Sequence, residues 1–144
     1  MNNFSFSSSN ELSMFLSNEK FGKTLVIAGK NSYIASGAGK ILEKLLVKKN
    51  TFYYFKQSPY PDLEELKKII DYIKKISPKL IIAIGGGSVL DYAKIANVLN
   101  DSDNLLSEIS NSSYRIKKKH STLVAIPTTA GSGAEVTSNA VIYI

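Results

Sequence analysis

One segment restricts the architecture more than any other: Leu80-Ile81-Ile82-Ala83-Ile84, then Gly85-Gly86-Gly87-Ser88, then Val89-Leu90-Asp91-Tyr92-Ala93-Lys94. An uncharged apolar run of this content reads as a strand buried on both faces of a parallel sheet. Three glycines directly after it remove every Cβ from the turn, so a ligand can reach bare backbone and a positive φ becomes accessible. Ser88 is placed to cap the helix that follows, whose free N–H groups and positive dipole end attract an anion. A strand, a glycine turn and a helix N-terminus make a phosphate cradle, which points to a nucleotide.

The 144 residues suit a single domain, and a chain of this size buries about 68–70% of its unfolded surface. The net charge of +6 is spread along helices, and no basic face with interleaved aromatics is visible, so no nucleic-acid partner is expected. With no cysteine, disulfides, thiolate catalysis and cysteine-ligated metals are excluded. No apolar run reaches the roughly 18 residues of a membrane span, and the start, Met1-Asn2-Asn3-Phe4-Ser5, lacks the layout of a signal peptide. The expectation is a cytoplasmic protein with no membrane partner.

Strands and helices alternate along the chain. After a Ser-rich start and a short helix at 11–17, strands are expected at Thr24–Ala28, Thr51–Phe55, Leu80–Ile84, Thr122–Ile126 (closed by Pro127) and Ala140–Ile144. Between them, a helix is expected from Gly29-Lys30-Asn31-Ser32 to about Lys49, with Ile41, Leu42, Leu45 and Leu46 on its buried face. A second helix, capped at Asp62, sets Leu63, Leu66, Ile69, Ile70, Ile73 and Ile76 inward with Lys and Glu opposite, and Pro78 follows its end. A third runs from about Val89 to Leu99, and a short element is expected at Leu105–Ile109 within a polar stretch. The fold class is therefore α/β: a doubly wound, mostly parallel Rossmann-like sheet with helices on both faces and right-handed crossovers. Residues 1–144 form one nucleotide-binding domain. Because the sequence ends inside an apolar run, it reads as truncated at its C-terminus.

Two motif look-alikes fail on detail. Ser36-Gly37-Ala38-Gly39-Lys40-Ile41 resembles a P-loop, but Ile34 and Ile41 stand where a glycine and a magnesium-binding hydroxyl belong. Gly85-Gly86-Gly87-Ser88-Val89-Leu90 is not the GxGxxG fingerprint, because Leu90 replaces the third glycine and the motif follows the third strand. A second constellation, Pro127-Thr128-Thr129-Ala130-Gly131-Ser132-Gly133-Ala134-Glu135-Val136-Thr137, sits at the C-terminal end of a strand, where open parallel sheets bind ligands. Its hydroxyls and glycines suit a phosphate, a ribose or an amide. On its own it could equally be a Ser/Thr-Gly turn; beside a glycine turn on a neighbouring strand, the binding role is the stronger reading.

These two constellations closely resemble the N-terminal signatures of the iron-containing (group III) alcohol dehydrogenases, in order and separation as well as residue type. The resemblance implies that Gly86, Gly87 and Ser88 bind the pyrophosphate of NAD or NADP, and that Thr128, Thr129 and Ser132 contact phosphate, ribose and nicotinamide. It sets Asp91 near the nicotinamide end; the alternative is a capping box with Ser88, and the two roles are compatible. Gly29 ends the first strand where many members carry an Asp that repels a 2′-phosphate, so tolerance of NADP is one reading and a plain turn glycine the other. Tyr60 departs from the Asn often found before the Pro that opens the second helix, which puts an adenine contact there in doubt. The family's iron, or sometimes zinc, is held by an Asp and several His of a helical C-terminal domain. No residue here matches those ligands, and His120, the only histidine, reads as part of a wet basic approach, Lys117-Lys118-Lys119, to the fourth strand.

The resemblance implies an enzyme that interconverts an alcohol with an aldehyde or ketone by metal-assisted hydride transfer, acting on a small-molecule substrate and open to homo-oligomerisation. The chain by itself is expected to be inactive, with no catalytic residue and no metal ligand of its own. The alternatives are a non-catalytic nucleotide-binding module and a related enzyme of the dehydroquinate synthase or glycerol-phosphate dehydrogenase type.

Overall fold

The computed structural model describes residues 6, 8–18, 21–111 and 120–144. Four strands, β1 (Thr24–Gly29), β2 (Thr51–Lys56), β3 (Leu80–Gly85) and β4 (Thr122–Pro127), form one sheet in the order β2-β1-β3-β4. All three pairings are parallel, and the register sets Thr24 beside both Thr51 and Leu80, and Gly85 beside Pro127. The chain steps from β1 outward to β2, then crosses back to β3 on the other side of β1. Between the C-terminal ends of β1 and β3 the winding reverses, and doubly wound sheets bind their ligands at such a point.

Burial explains why these runs became strands. β1 and β3 lie in the middle of the sheet, and Leu25, Ile27, Ile81 and Ala83 face one helical layer while Val26, Ala28, Ile82 and Ile84 face the other. That is the period-2 alternation of a strand covered on both sides. Each such Leu or Ile is worth about 1.5–3 kcal/mol relative to exposure. The first layer holds α4 (Leu63–Ile76) and α5 (Gly87–Leu99). The second holds α1 (Ser9–Asn18), α2 (Lys30–Ala35) and α3 (Ala38–Leu45). A short α6 (Leu105–Ser110) precedes β4, with Asn104 accepting a hydrogen bond from Ser107 N–H at its start.

Several sequence expectations are corrected. The helix expected to run on to Lys49 breaks at Ser36-Gly37, where Gly37 takes φ 73° and Ser36 Oγ accepts from Ala38 N–H. A left-handed residue cannot continue a right-handed helix, and glycine adopts that conformation freely. The restart turns Ala38, Gly39 and Leu42 inward and leaves Ile41 42% exposed, outside the expected face. The expected strand at Ala140–Ile144 does not form. Tyr143 makes a single bridge to Asp62, donating to Pro61 O and accepting from Leu63 N–H. This segment crosses the loop before α4 instead of extending the sheet.

Glu65, expected on the polar face of α4, is 3% exposed. Its carboxylate accepts from Tyr54 Oη at 2.6 Å and from the N–H groups of Gln57 and Ser58. Buried carboxylates persist when such donors replace water. His120 is also less wet than expected, its side chain 18% exposed with Nε2 3.3 Å from Asp101 Oδ1. Lys117-Lys118-Lys119 lie outside the described residues.

Candidate cofactor-binding site

At the reversal point, β3 runs into the glycine turn. Gly85 has φ 159°, and a Cβ there would lie 2.6 Å from Val89 Cγ2 and 2.9 Å from Val89 Cβ. No side chain fits at that position. Gly86 is the N-cap of α5 with extended backbone and no side-chain cap, and its carbonyl accepts from Val89 and Leu90 N–H. The N–H groups of Gly87 and Ser88, first and second in the helix, therefore have no carbonyl of the preceding turn to bond. Those two donors at the positive end of a helix of 13 residues are what an anion would use.

One detail differs from the sequence reading. Ser88 is inside the helix and does not cap it, because α5 begins at Gly87 with Gly86 as its N-cap. Of the three glycines, Gly85 alone takes a positive φ.

The second constellation folds against the first. Thr128 N–H donates to Gly85 O at 3.0 Å, continuing the β3–β4 ladder past its end. A Cβ on Gly86 would come 3.1 Å from Thr129 Oγ1, and one on Gly87 would sit 3.6 Å from Ser132 Cβ. Thr129 and Ser132 are exposed and Thr128 is half-buried. Gly131 and Gly133, at φ 97° and 60°, let the loop fold back over the turn. The structure thus brings Gly86, Gly87, Ser88, Thr128, Thr129 and Ser132 into one place.

Gly29 ends the neighbouring strand β1 on the same edge. Its backbone is extended (φ −81°, ψ 131°), which any residue can adopt, and a Cβ would crowd only the Ser32 hydroxyl, at 2.8 Å. The backbone therefore does not demand glycine there, which counts against the plain turn reading. Lys30, next to it, is exposed.

Asp91 is buried and forms no capping box. Its Oδ1 lies 3.0 Å from Lys94 Nζ and its Oδ2 accepts from Val141 N–H at 3.2 Å. One oxygen is thus paired with Lys94 on the same helix, and the other holds the segment after the Thr-Ser loop.

The loop between β2 and α4 is also fixed from outside itself. Tyr92 Oη, fully buried, accepts from Asp62 N–H at 2.8 Å and donates to Tyr60 O at 2.9 Å. Burial first, and the nearby Asp62 and Glu65 charges, push the Tyr92 hydroxyl up to about 12. Burial and the bond to Glu65 raise Tyr54 as well. Asp62 Oδ1 caps α4 through Glu65 N–H, and that bond, with help from Ser58 and Lys68, holds its carboxyl below the ordinary carboxylate value. Glu65, Tyr92 and Lys94 were not legible as parts of this edge, because each acts on residues distant in sequence.

Among the described residues no group of three or more His, Cys, Asp or Glu is placed to hold a metal ion. No helix among them is long and apolar enough to cross a membrane. An open cleft of about 250 Å³ lies at the opposite end of the sheet, lined by Leu16, Phe21, Thr24, Leu46 and Leu80 among others. Thr24 and Leu80 begin their strands, whereas the glycine turn and the Thr-Ser loop follow strand ends, so this cleft contains none of the candidate cofactor residues.

Fold and site together define a doubly wound α/β domain with a glycine turn leading into a helix N-terminus at its switch point. The family model described as iron-containing alcohol dehydrogenase matches residues 3–144, and the chain belongs to that family. It is 32% identical over 132 residues to a long-chain primary alcohol dehydrogenase, AdhA, of Thermoanaerobacter ethanolicus, covering 90% of this chain and 33% of that protein. Among solved structures, a sulfoacetaldehyde reductase of Bifidobacterium kashiwanohense in complex with NAD+ superposes with a TM-score of 0.75 at 25% identity, covering 94% of this chain and 36% of the other. An iron-containing alcohol dehydrogenase of Thermotoga maritima gives 0.73 at 28% identity, with coverages of 89% and 35%. The chain therefore spans about a third of the length of these relatives.

Proposed function

We propose that residues 1–144 are the NAD(P)-binding part of an oxidoreductase that interconverts an alcohol with an aldehyde or ketone. The observation that carries this reading is the meeting of the glycine turn with Thr129 and Ser132 at the switch point of the sheet. The pyrophosphate would rest on the N–H groups of Gly87 and Ser88, where a side chain on Gly86 or Gly87 would intrude. Thr128, Thr129 and Ser132 would supply hydroxyl donors and acceptors toward phosphate, ribose and nicotinamide. The nicotinamide ring, when bound, supplies the hydride chemistry. The residues of this chain bind and orient it.

Iron does not fit the described residues, since no ligand group is assembled and the Asp91 carboxylate is already paired. No step through a metal is assigned to this chain, and turnover would need residues beyond those described. The names of the relatives support a small-molecule alcohol or aldehyde as substrate; a cytoplasmic location and self-association are parts of the same proposal. Gly29 and Lys30 favour acceptance of NADP, because Gly29 brings no carboxylate against a 2′-phosphate and Lys30 brings a nearby positive charge.

Thermal-shift titration with NADH, NADPH and ADP-ribose tests the reading. All three should raise the melting temperature saturably, since a ligand that binds only the folded state stabilises it. No shift with any of them would overturn it.

A further inference from the structure

We propose that Lys94 is a positioning residue of the cofactor site, a clamp that fixes the far end of the loop carrying Thr128, Thr129 and Ser132. The proposal rests on the cofactor reading above. At its near end this loop is anchored by β4, through the pairing of Pro127 with Gly85 and the bond from Thr128 N–H to Gly85 O. At its far end the anchor is polar. Lys94 Nζ donates to Ala134 O at 3.1 Å, to Asn139 O, and weakly to Thr137 Oγ1 at 3.5 Å. It also pairs with Asp91 Oδ1 at 3.0 Å, and Asp91 Oδ2 takes the Val141 N–H. One ion pair on α5 thus holds Ala134, Thr137, Asn139 and Val141.

Between these contacts and the Tyr143 bridge to the α4 loop, apolar packing holds the segment weakly. Val136 is 83% and Val141 56% exposed, while Ala134 is the one buried apolar side chain of 134–141. Ala134 links the clamp to the site directly: its N–H donates to Ser132 Oγ at 3.4 Å and its carbonyl accepts from Lys94. Between the two anchors, Gly131 and Gly133 sit at positive φ, where the backbone is free to swing if one anchor is lost. Lys94 and Asp91 side chains are only 16% and 12% exposed, so the pair is shielded from water and salt. A lysine near a phosphate site invites the reading of a phosphate ligand. Here its N–H groups are already directed at protein acceptors, so it acts through the loop.

The test is a fluorescence titration of the full chain with NADH, and with ADP-ribose as competitor, in wild type, Lys94→Met, Lys94→Arg and the charge-neutral pair Asp91→Asn/Lys94→Met. Lys94→Met should weaken NADH by about tenfold or more but ADP-ribose by less than about threefold, because ADP-ribose lacks the nicotinamide that the loop reaches. Lys94→Arg should restore most of the NADH affinity. Amide exchange at Val141 and across 134–141 should quicken in Lys94→Met and recover in Lys94→Arg. If Lys94→Met fails to fold by circular dichroism, the double variant, which leaves no buried unpaired charge, must show the same selective loss of NADH. Equal weakening of both ligands, unchanged affinity in the folded variant, or unchanged exchange at Val141 would each overturn the clamp. Absence of NADH binding in the wild type would sink the cofactor reading instead, and exchange at Val141 would then decide the clamp alone.

Discussion

Alanine at Gly85 and at Gly87 should have opposite consequences, and the contrast separates a tight turn from a binding site. At Gly85 the new Cβ would stand 2.6 Å from Val89 Cγ2 and 2.9 Å from Val89 Cβ. Val89 is 1% exposed and packed in the core, so it cannot move aside without cost. Overpacking of this kind costs about 1–3 kcal/mol, and a φ of 159° adds strain of about 1–2 kcal/mol in a residue with a Cβ. Gly85→Ala should therefore lose about 2–5 kcal/mol in urea denaturation, with Val89→Ala relieving only part of it. At Gly87 the nearest atoms to a Cβ are Ser132 Cβ at 3.6 Å and Oγ at 3.8 Å, which is ordinary contact, and the backbone is helical. Gly87→Ala should leave stability unchanged or raise it by up to about 1 kcal/mol. It should nonetheless weaken NADH by about tenfold or more in a fluorescence titration, because the methyl group occupies the space offered to the pyrophosphate. A stable Gly87→Ala that binds NADH as the wild type does would refute the site, and an undiminished stability of Gly85→Ala would refute the account of the turn.

The cap of α4 should be visible in the acid limb of stability. Asp62 has its carboxyl lowered chiefly by Glu65 N–H, so its contribution is complete above the unfolded value of about 3.9 and fades as pH falls through the folded value. Asp62→Asn keeps the cap acceptor and should flatten that limb, while Asp62→Ala should cost about 1 kcal/mol near neutral pH; an unaltered acid limb in Asp62→Asn would count against this role. Tyr92→Phe removes the hydroxyl that joins Asp62 N–H and Tyr60 O, both part-buried, and should cost about 1 kcal/mol by urea denaturation, with no loss indicating that water replaces the hydroxyl. In the wild type the raised Tyr92 value of about 12 means that its stabilisation is full below about pH 10 and is lost as pH rises through the folded value, a decline that Tyr92→Phe should lessen. The purified chain should show no alcohol dehydrogenase turnover with added ferrous or zinc ion; metal-dependent reduction of a short aldehyde would contradict the ligand counting.

The strands were the most legible part of the chain. Uncharged runs such as Leu25–Ala28 and Leu80–Ile84 have to be buried on both faces, and the structure extends each of the four strands by only one residue. The meeting of the two constellations followed from that, since Gly85 and Pro127 are register partners and draw them together. What escaped was decided by particular partners and backbone angles that periodicity does not name. Glu65 lies at a polar position of α4 by periodicity, yet Tyr54, Gln57 and Ser58 supply the donors that let it go inside. Ala140–Ile144 has the composition of a strand, but composition does not name a neighbour, and the segment found the α4 loop. The helix break at Gly37 needed its φ of 73°, which a glycine permits without announcing. Asp91 and Ser88 have capping-box spacing, and the ion pair with Lys94 took the carboxylate instead.

Backbone amide shifts during titration of the 15N-labelled chain with NADH locate the ligand as well as detect it. A cofactor seated on the glycine turn gives saturable shifts at Gly86, Gly87, Ser88, Thr129 and Ser132, with Gly29 also moving and residues of the opposite cleft, Leu16 and Leu46, unmoved. Shifts confined to that cleft, or none at the glycine turn at saturating NADH, would contradict it.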